Sequence, residues 1–128
     1  IDYGADINYK TPRGNTAAIS ALRMENIEIA HLLIVEKRVD ISAPYYNYNL
    51  ASFENELDTL HPKYPVGLLI YMIYDIPSKN YRLKRDVIQR FEDEGFNYDE
   101  YKIDLPQEII SSIKKKHPDD FEEYLQKY

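Results

Sequence analysis

Metal binding and proton transfer near neutral pH would fall first to the three histidines of this 128-residue chain. His61 follows Asp58 at a spacing of three, which on a helix would set an imidazole beside a carboxylate, as a metal site needs. Pro62 is adjacent and no second histidine stands nearby, so no metal ion is expected there. His117 precedes Pro118 and reads as a helix junction. There is no cysteine, which removes disulfides, cysteine-based zinc sites and thiol nucleophiles. A glycine-rich phosphate loop, a nucleophile elbow and an HExxH pattern are all missing. Lys79, Arg82, Lys84 and Arg85 form the densest basic patch, and they read as a solvated helix face rather than a phosphate site. The many carboxylates read the same way. No catalytic residue and no cofactor is therefore expected.

Composition narrows the remaining classes. A net charge of −6 and a pI near 5.0 argue against nucleic acids and anionic membranes as partners. The longest apolar run, residues 66–76, is too short to cross a bilayer. With 44% hydrophobic residues the chain can build a core. Its thirteen tyrosines exceed what that core requires. Tyrosine is wide, fairly rigid and amphipathic, and so suits contact surfaces.

The elements that would carry such a surface announce themselves by repetition. Gly4-Ala5-Asp6-Ile7-Asn8 is echoed by Val39-Asp40-Ile41-Ser42, with Asp40 standing 34 residues after Asp6. Between them, Thr11-Pro12-Arg13-Gly14-Asn15 is dense in turn-forming residues, and Thr16 is a good N-cap. The pattern predicts a small-residue-rich helix over 16–24, a break at Glu25-Asn26, and a helix over 27–36 that is apolar around much of its girth. A turn plus two helices repeating at about 33 residues is a solenoid signature.

These residues resemble an ankyrin repeat. The resemblance rests on Gly4-Ala5-Asp6-Ile7-Asn8, Gly14-Asn15-Thr16-Ala17 and Ile29-Ala30-His31-Leu32-Leu33-Ile34. The chain departs from the family where Ala17 replaces a proline, Ile19 a histidine and Glu25 a loop glycine. Lys37-Arg38 takes the place of the second cap glycine, with one extra residue. The resemblance puts His31 on a solvent-facing helix position.

Tyr64-Pro65-Val66-Gly67-Leu68-Leu69 resembles the opening of another such first helix, expected to run to Ile76. A helix over 81–94 would follow, with Leu83, Val87, Ile88 and Phe91 on its apolar stripe and an Asp86–Arg90 pair on its wet side. Gly95 to Asp99 would be the next turn. Helices over 106–116 and 118–127 would close the stack, buried through Leu105, Ile109, Ile110 and Ile113 and through Phe121, Tyr124, Leu125 and Tyr128.

The expected architecture is thus all-α: an ankyrin-type solenoid of helical pairs with a long inserted loop and a C-terminal capping pair. It forms one domain over 1–128, divided into a repeat (1–42), an insertion (43–63), a degenerate repeat (64–99) and a cap (100–128). The chain does not begin with Met, and Ile1 to Gly4 reads as the end of an earlier helix. Further repeats would then precede it. Ala18, Ile19 and Leu33 would be partly uncovered, and the fragment would be able to self-associate.

Protein binding without catalysis is the function that the resemblance implies. Carried over from the family, the variable surface positions are Lys10, Pro12, Arg13, Asn15, Arg23 and Met24. The insertion adds Tyr45, Tyr46, Tyr48 and Phe53 to the binding residues, and its Glu54, Glu56 and Asp58 favour a basic partner surface. The insertion reads either as a binding arm or as a lid that shields Leu68 and Leu69. The expected location is intracellular: the cytoplasm, or a host's cytosol for a viral or bacterial effector. A second resemblance competes. Leu105-Pro106-Gln107-Glu108-Ile109, with Ile113 and Asp120 beyond, is similar to the opening of an F-box, which would recruit a ubiquitin-ligase adaptor while the repeats select the target.

Overall fold

The first turn is built by Thr11, whose N–H donates to the Asn15 carbonyl at 2.9 Å and whose carbonyl accepts from the Gly14 N–H at 2.8 Å. Gly14 sits at φ +80, and a Cβ there would come within 2.8 Å of the Pro44 carbonyl oxygen, so both conformation and space demand glycine. The computed structural model describes residues 8–11, 14–45, 63–76 and 78–128.

Helix α1 (Ala17–Arg23) begins where Thr16 Oγ1 accepts from the Ile19 N–H at 3.2 Å, the cap read from the sequence. Glu25, at φ +56, reverses the chain, and Asn26 caps α2 (Ile27–His31) by accepting from the Ile29 N–H. Helix α2 runs on into a π-helical turn (Leu32–Glu36), where the Lys37 N–H reaches back five residues to the Leu32 carbonyl at 2.9 Å. The wider turn accommodates one more residue than an α-turn would. Arg38, at φ +51, then turns the chain outward. Alanines 18, 21 and 30 are buried and let α1 and α2 lie close, with Leu22, Ile27, Leu33 and Ile34 filling the seam.

The apolar face expected to be open is closed. Ala18, Ile19 and Leu33 are all 3% exposed or less. Helix α1 packs on α2, on its π-turn and on the next helical segment.

That next segment is a 3₁₀ helix (Pro65–Tyr71) with proline at its start. It stops at Tyr71, short of the expected Ile76, and Met72 is extended. The reason lies in side chains from elsewhere. The Ile70 carbonyl accepts from the Tyr128 hydroxyl, the Met72 carbonyl from Lys84 Nζ at 2.7 Å, and the Tyr74 carbonyl from the Tyr124 hydroxyl at 2.5 Å. With the Ile70, Met72 and Tyr74 carbonyls satisfied in this way, these three need no helical amide. These contacts also answer part of the tyrosine surplus: Tyr98, Tyr124 and Tyr128 are buried in the chain's own interior.

Helix α3 (Lys79–Asp93) starts at a Ser78 cap and buries Val87, Ile88 and Phe91 against α2 and the 3₁₀ helix. Two of its charged residues are also buried, contrary to expectation. Lys84 is 1% exposed, so it does not belong to a solvated patch with Lys79, Arg82 and Arg85, which are exposed. Arg90 is 8% exposed and pairs not with Asp86 but with Glu94, at 3.0 Å. Its guanidinium also donates to the Ile34 carbonyl at 2.6 Å and to the Val39 carbonyl at 3.3 Å, closing the end of the first pair. Lys84 lies three, four and seven residues before Val87, Ile88 and Phe91, and this spacing placed it on the buried stripe.

Gly95, at φ +97, ends α3, and Asn97 caps a short helix, α4 (Tyr98–Lys102), where only a turn was expected. Helices α5 (Gln107–Lys116) and α6 (Phe121–Lys127) form the last pair. Ile109, Ile113, Tyr124 and Tyr128 are their shared core, and Ile73, Ile76 and Leu105 pack against it from the body of the fold. The described regular structure is helical throughout, apart from one antiparallel bridge between Tyr45 and Lys63.

Candidate functional site: a tyrosine-lined cleft

The two bonds of that bridge, 2.8 and 2.9 Å long, hold Tyr45 and Lys63 side by side. Tyr45 is buried and lies under Arg23, whose guanidinium carbon is 4.6 Å from the ring centroid. Burial pushes the Tyr45 hydroxyl above its ordinary pKa, with Arg23 opposing the shift. The phenol therefore stays neutral and retains its proton for donation.

The 3₁₀ helix supplies Gly67, Leu68 and Tyr71, with Tyr64 as its N-cap residue, and α4 supplies Tyr101. Gly67 makes room for the Tyr101 ring, since a Cβ at that position would come within 3.1 Å of it. Phe96 backs Tyr64 at a centroid distance of 5.6 Å. The result is an open cleft of about 630 Å³, lined by four tyrosines, one leucine, one glycine and the cations Arg23 and Lys63. Among the described residues no carboxylate is in the lining.

Of the residues expected to bind a partner, the cleft gathers Arg23 and Tyr45. Met24 is 80% exposed and follows Arg23 in the chain. Lys10 is exposed and lies 3.7 Å from Asp40. Asn15 is half-buried and works within its own turn, its amide nitrogen donating to Ser20 Oγ at 3.3 Å. Pro12, Arg13, Tyr46, Tyr48 and Phe53 lie outside the described residues, as do His61 and Asp58. Sequence reasoning missed Lys63, Tyr64, Tyr71 and Tyr101 as a group. Tyr101 comes from a different element than the other three, and the one signal they left was the surplus of tyrosine.

Other clusters that could do chemistry serve the fold. His31 is not solvent-facing: its side chain is 17% exposed and its Nε2 is 3.0 Å from Asp86 on α3. His117 stands at the α5–α6 junction as expected, within 3.3 Å of Asp120 and 3.5 Å of Asp75, and stacks on Tyr124 at 4.0 Å. Lys84 has its ammonium 3.5 Å from the Tyr128 ring centroid and 5.6 Å from that of Tyr98. Burial, with Arg85 and Lys102 adding repulsion, holds its pKa well below the usual lysine range. A low-pKa amine is the raw material of a lysine nucleophile. At 1% exposure, however, Lys84 meets no substrate, and its role is to clasp Met72. Among the described residues no three His, Asp or Glu side chains converge as metal ligands, and no helix is long and apolar enough to cross a membrane. In the F-box-like stretch Glu108 is exposed, Leu105 half-buried and Ile109 buried in the last pair's own core.

Compared with protein-family models, curated proteins and solved structures, the chain matches none of them.

Proposed function

We propose that this chain is a protein-binding module of the ankyrin type, acting without catalysis inside a cell, and that its tyrosine-lined cleft is the binding site. The observation that carries the binding role is the cleft itself. Tyr64 and Tyr71 are 37% and 41% exposed beside an exposed Arg23, over a floor made by Leu68 and Tyr101. Large aromatic and arginine side chains left in water around a concavity are the composition of interface hot spots.

Two details support the ankyrin reading. Asn8 Oδ1 accepts from the Asp40 N–H at 2.8 Å, which joins the last residue of the first echoing stretch to the second. Left-handed backbone falls at Glu25 and Arg38, where the family carries glycine. The insertion between Ala43 and Lys63 is the segment to which we assign partner choice, since its ends stand on the rim of the cleft.

The test is an unbiased pull-down with the wild type and with Arg23→Ala combined with Tyr71→Ala. Both side chains are exposed, so the double variant should keep its helicity and melting temperature. A protein captured by the wild type and lost from the variant supports the site. Identical captures by both would discard it.

A further inference from the structure

We infer that the cleft takes an acidic peptide segment of its partner, with an apolar side chain set beside the acids. This rests on the binding role proposed above and fixes its chemistry. In a chain of net charge −6, a concavity whose described lining holds two cations and no carboxylate runs against the overall balance. Neither Arg23 nor Lys63 is within ion-pair distance of a carboxylate among the described residues. Among the described residues, then, no carboxylate competes with a ligand for these two cations.

Arg23 lies on the Tyr45 ring, so its guanidinium loses little freedom when an anion arrives, and the backbone of Lys63 is paired with that of Tyr45. The tyrosine hydroxyls can donate to carboxylate oxygens. Leu68 and the Tyr101 ring, brought close by Gly67, form an apolar floor for a neighbouring leucine or aromatic residue. The sign is opposite to that of the basic partner surface expected from the acids of the insertion.

The probe is a fluorescein-labelled peptide of alternating glutamate and leucine, titrated by anisotropy at low and at physiological salt. A lysine–leucine peptide of equal length is the comparison. The glutamate peptide should bind and weaken with salt, and the lysine peptide should not bind. Arg23→Glu with Lys63→Glu should cost about tenfold or more in Kd. Should that double variant lose helicity, Arg23→Gln with Lys63→Gln replaces it, with a smaller loss expected in the same direction. Equal binding of the two peptides, or an unchanged Kd in the charge variants, overturns the inference. A protein partner that is lost with Arg23→Ala/Tyr71→Ala yet retained by the charge-reversed variant would refute the acidic ligand alone and leave the binding role standing.

Discussion

Arg90 offers the sharpest test of how the two helical pairs are joined. Its guanidinium leaves α3, enters the interior and donates to two carbonyls of the first pair, those of Ile34 and Val39. Replacing it with methionine keeps an unbranched apolar stem and removes every donor. Each carbonyl would then be left in a largely dry seam without its partner, at a cost of about 1–3 kcal/mol apiece. The exposed half of the Glu94 pair adds at most about 0.5 kcal/mol, because the carboxylate is largely in water. Water can reach the end of the π-turn, which favours the lower part of the range, so Arg90→Met should cost about 3 kcal/mol. That is a large share of the roughly 5–15 kcal/mol by which a domain is stable. Urea unfolding followed by far-UV circular dichroism measures it directly. Arg90→Lys, with a compact ammonium that cannot fork across both carbonyls, should recover part of the loss. Glu94→Ala should change stability by less than about 0.5 kcal/mol. A loss below about 1 kcal/mol for Arg90→Met would show that the two carbonyls are served by solvent, and the argument for a buried arginine joint would fail.

Glu25→Gly and Arg38→Gly should each stabilise the fold by about 0.5–1 kcal/mol, since both positions hold left-handed backbone that costs more for a residue with a Cβ. Thermal melts of the single variants decide this, and a drop in either would contradict it. Lys84→Met removes the clasp on Met72, and its effect should depend on pH. The folded-state pKa of Lys84 lies well below its unfolded value, so between the two the unfolded chain binds more protons and the wild type gains stability as pH rises. The variant lacks that gain, and its deficit relative to wild type should widen toward pH ~10; a pH-independent gap would refute this. Tyr124 runs the other way. Burial lifts its hydroxyl to about 12, so its contribution is whole below the ordinary tyrosine pKa and is lost as pH climbs from about 10 to about 12. Tyr124→Phe should therefore lose less stability than wild type across that alkaline window in parallel melts. An equal loss would assign alkaline unfolding to other groups.

Local signals in the sequence determined most of the helices. Thr16 caps α1 because a hydroxyl ahead of an apolar run has one favourable use, and the spacing of Val87, Ile88 and Phe91 placed the stripe of α3 within two residues of its ends. Asn8, the last residue of the first of the two echoing stretches, accepts from the Asp40 N–H of the second. Local rules also say that lysine and arginine face water, and there they failed. Lys84 and Arg90 sit on buried faces because distant carbonyls needed donors: Met72 in the first case, Ile34 and Val39 in the second. The same kind of partner explains why the helix expected to reach Ile76 ends at Tyr71. Tyr124 and Tyr128, about fifty residues or more farther along, take over hydrogen bonds that helical amides would have made. The cleft is likewise a tertiary product. Arg23, Lys63 with Tyr71, and Tyr101 lie on three separate stretches of chain, and no period in the sequence relates them. Capping, turn chemistry and hydrophobic spacing act over a few residues and can be read from them. Which buried carbonyl a long side chain will satisfy depends on what the fold brings within reach, and only the packed structure decides that.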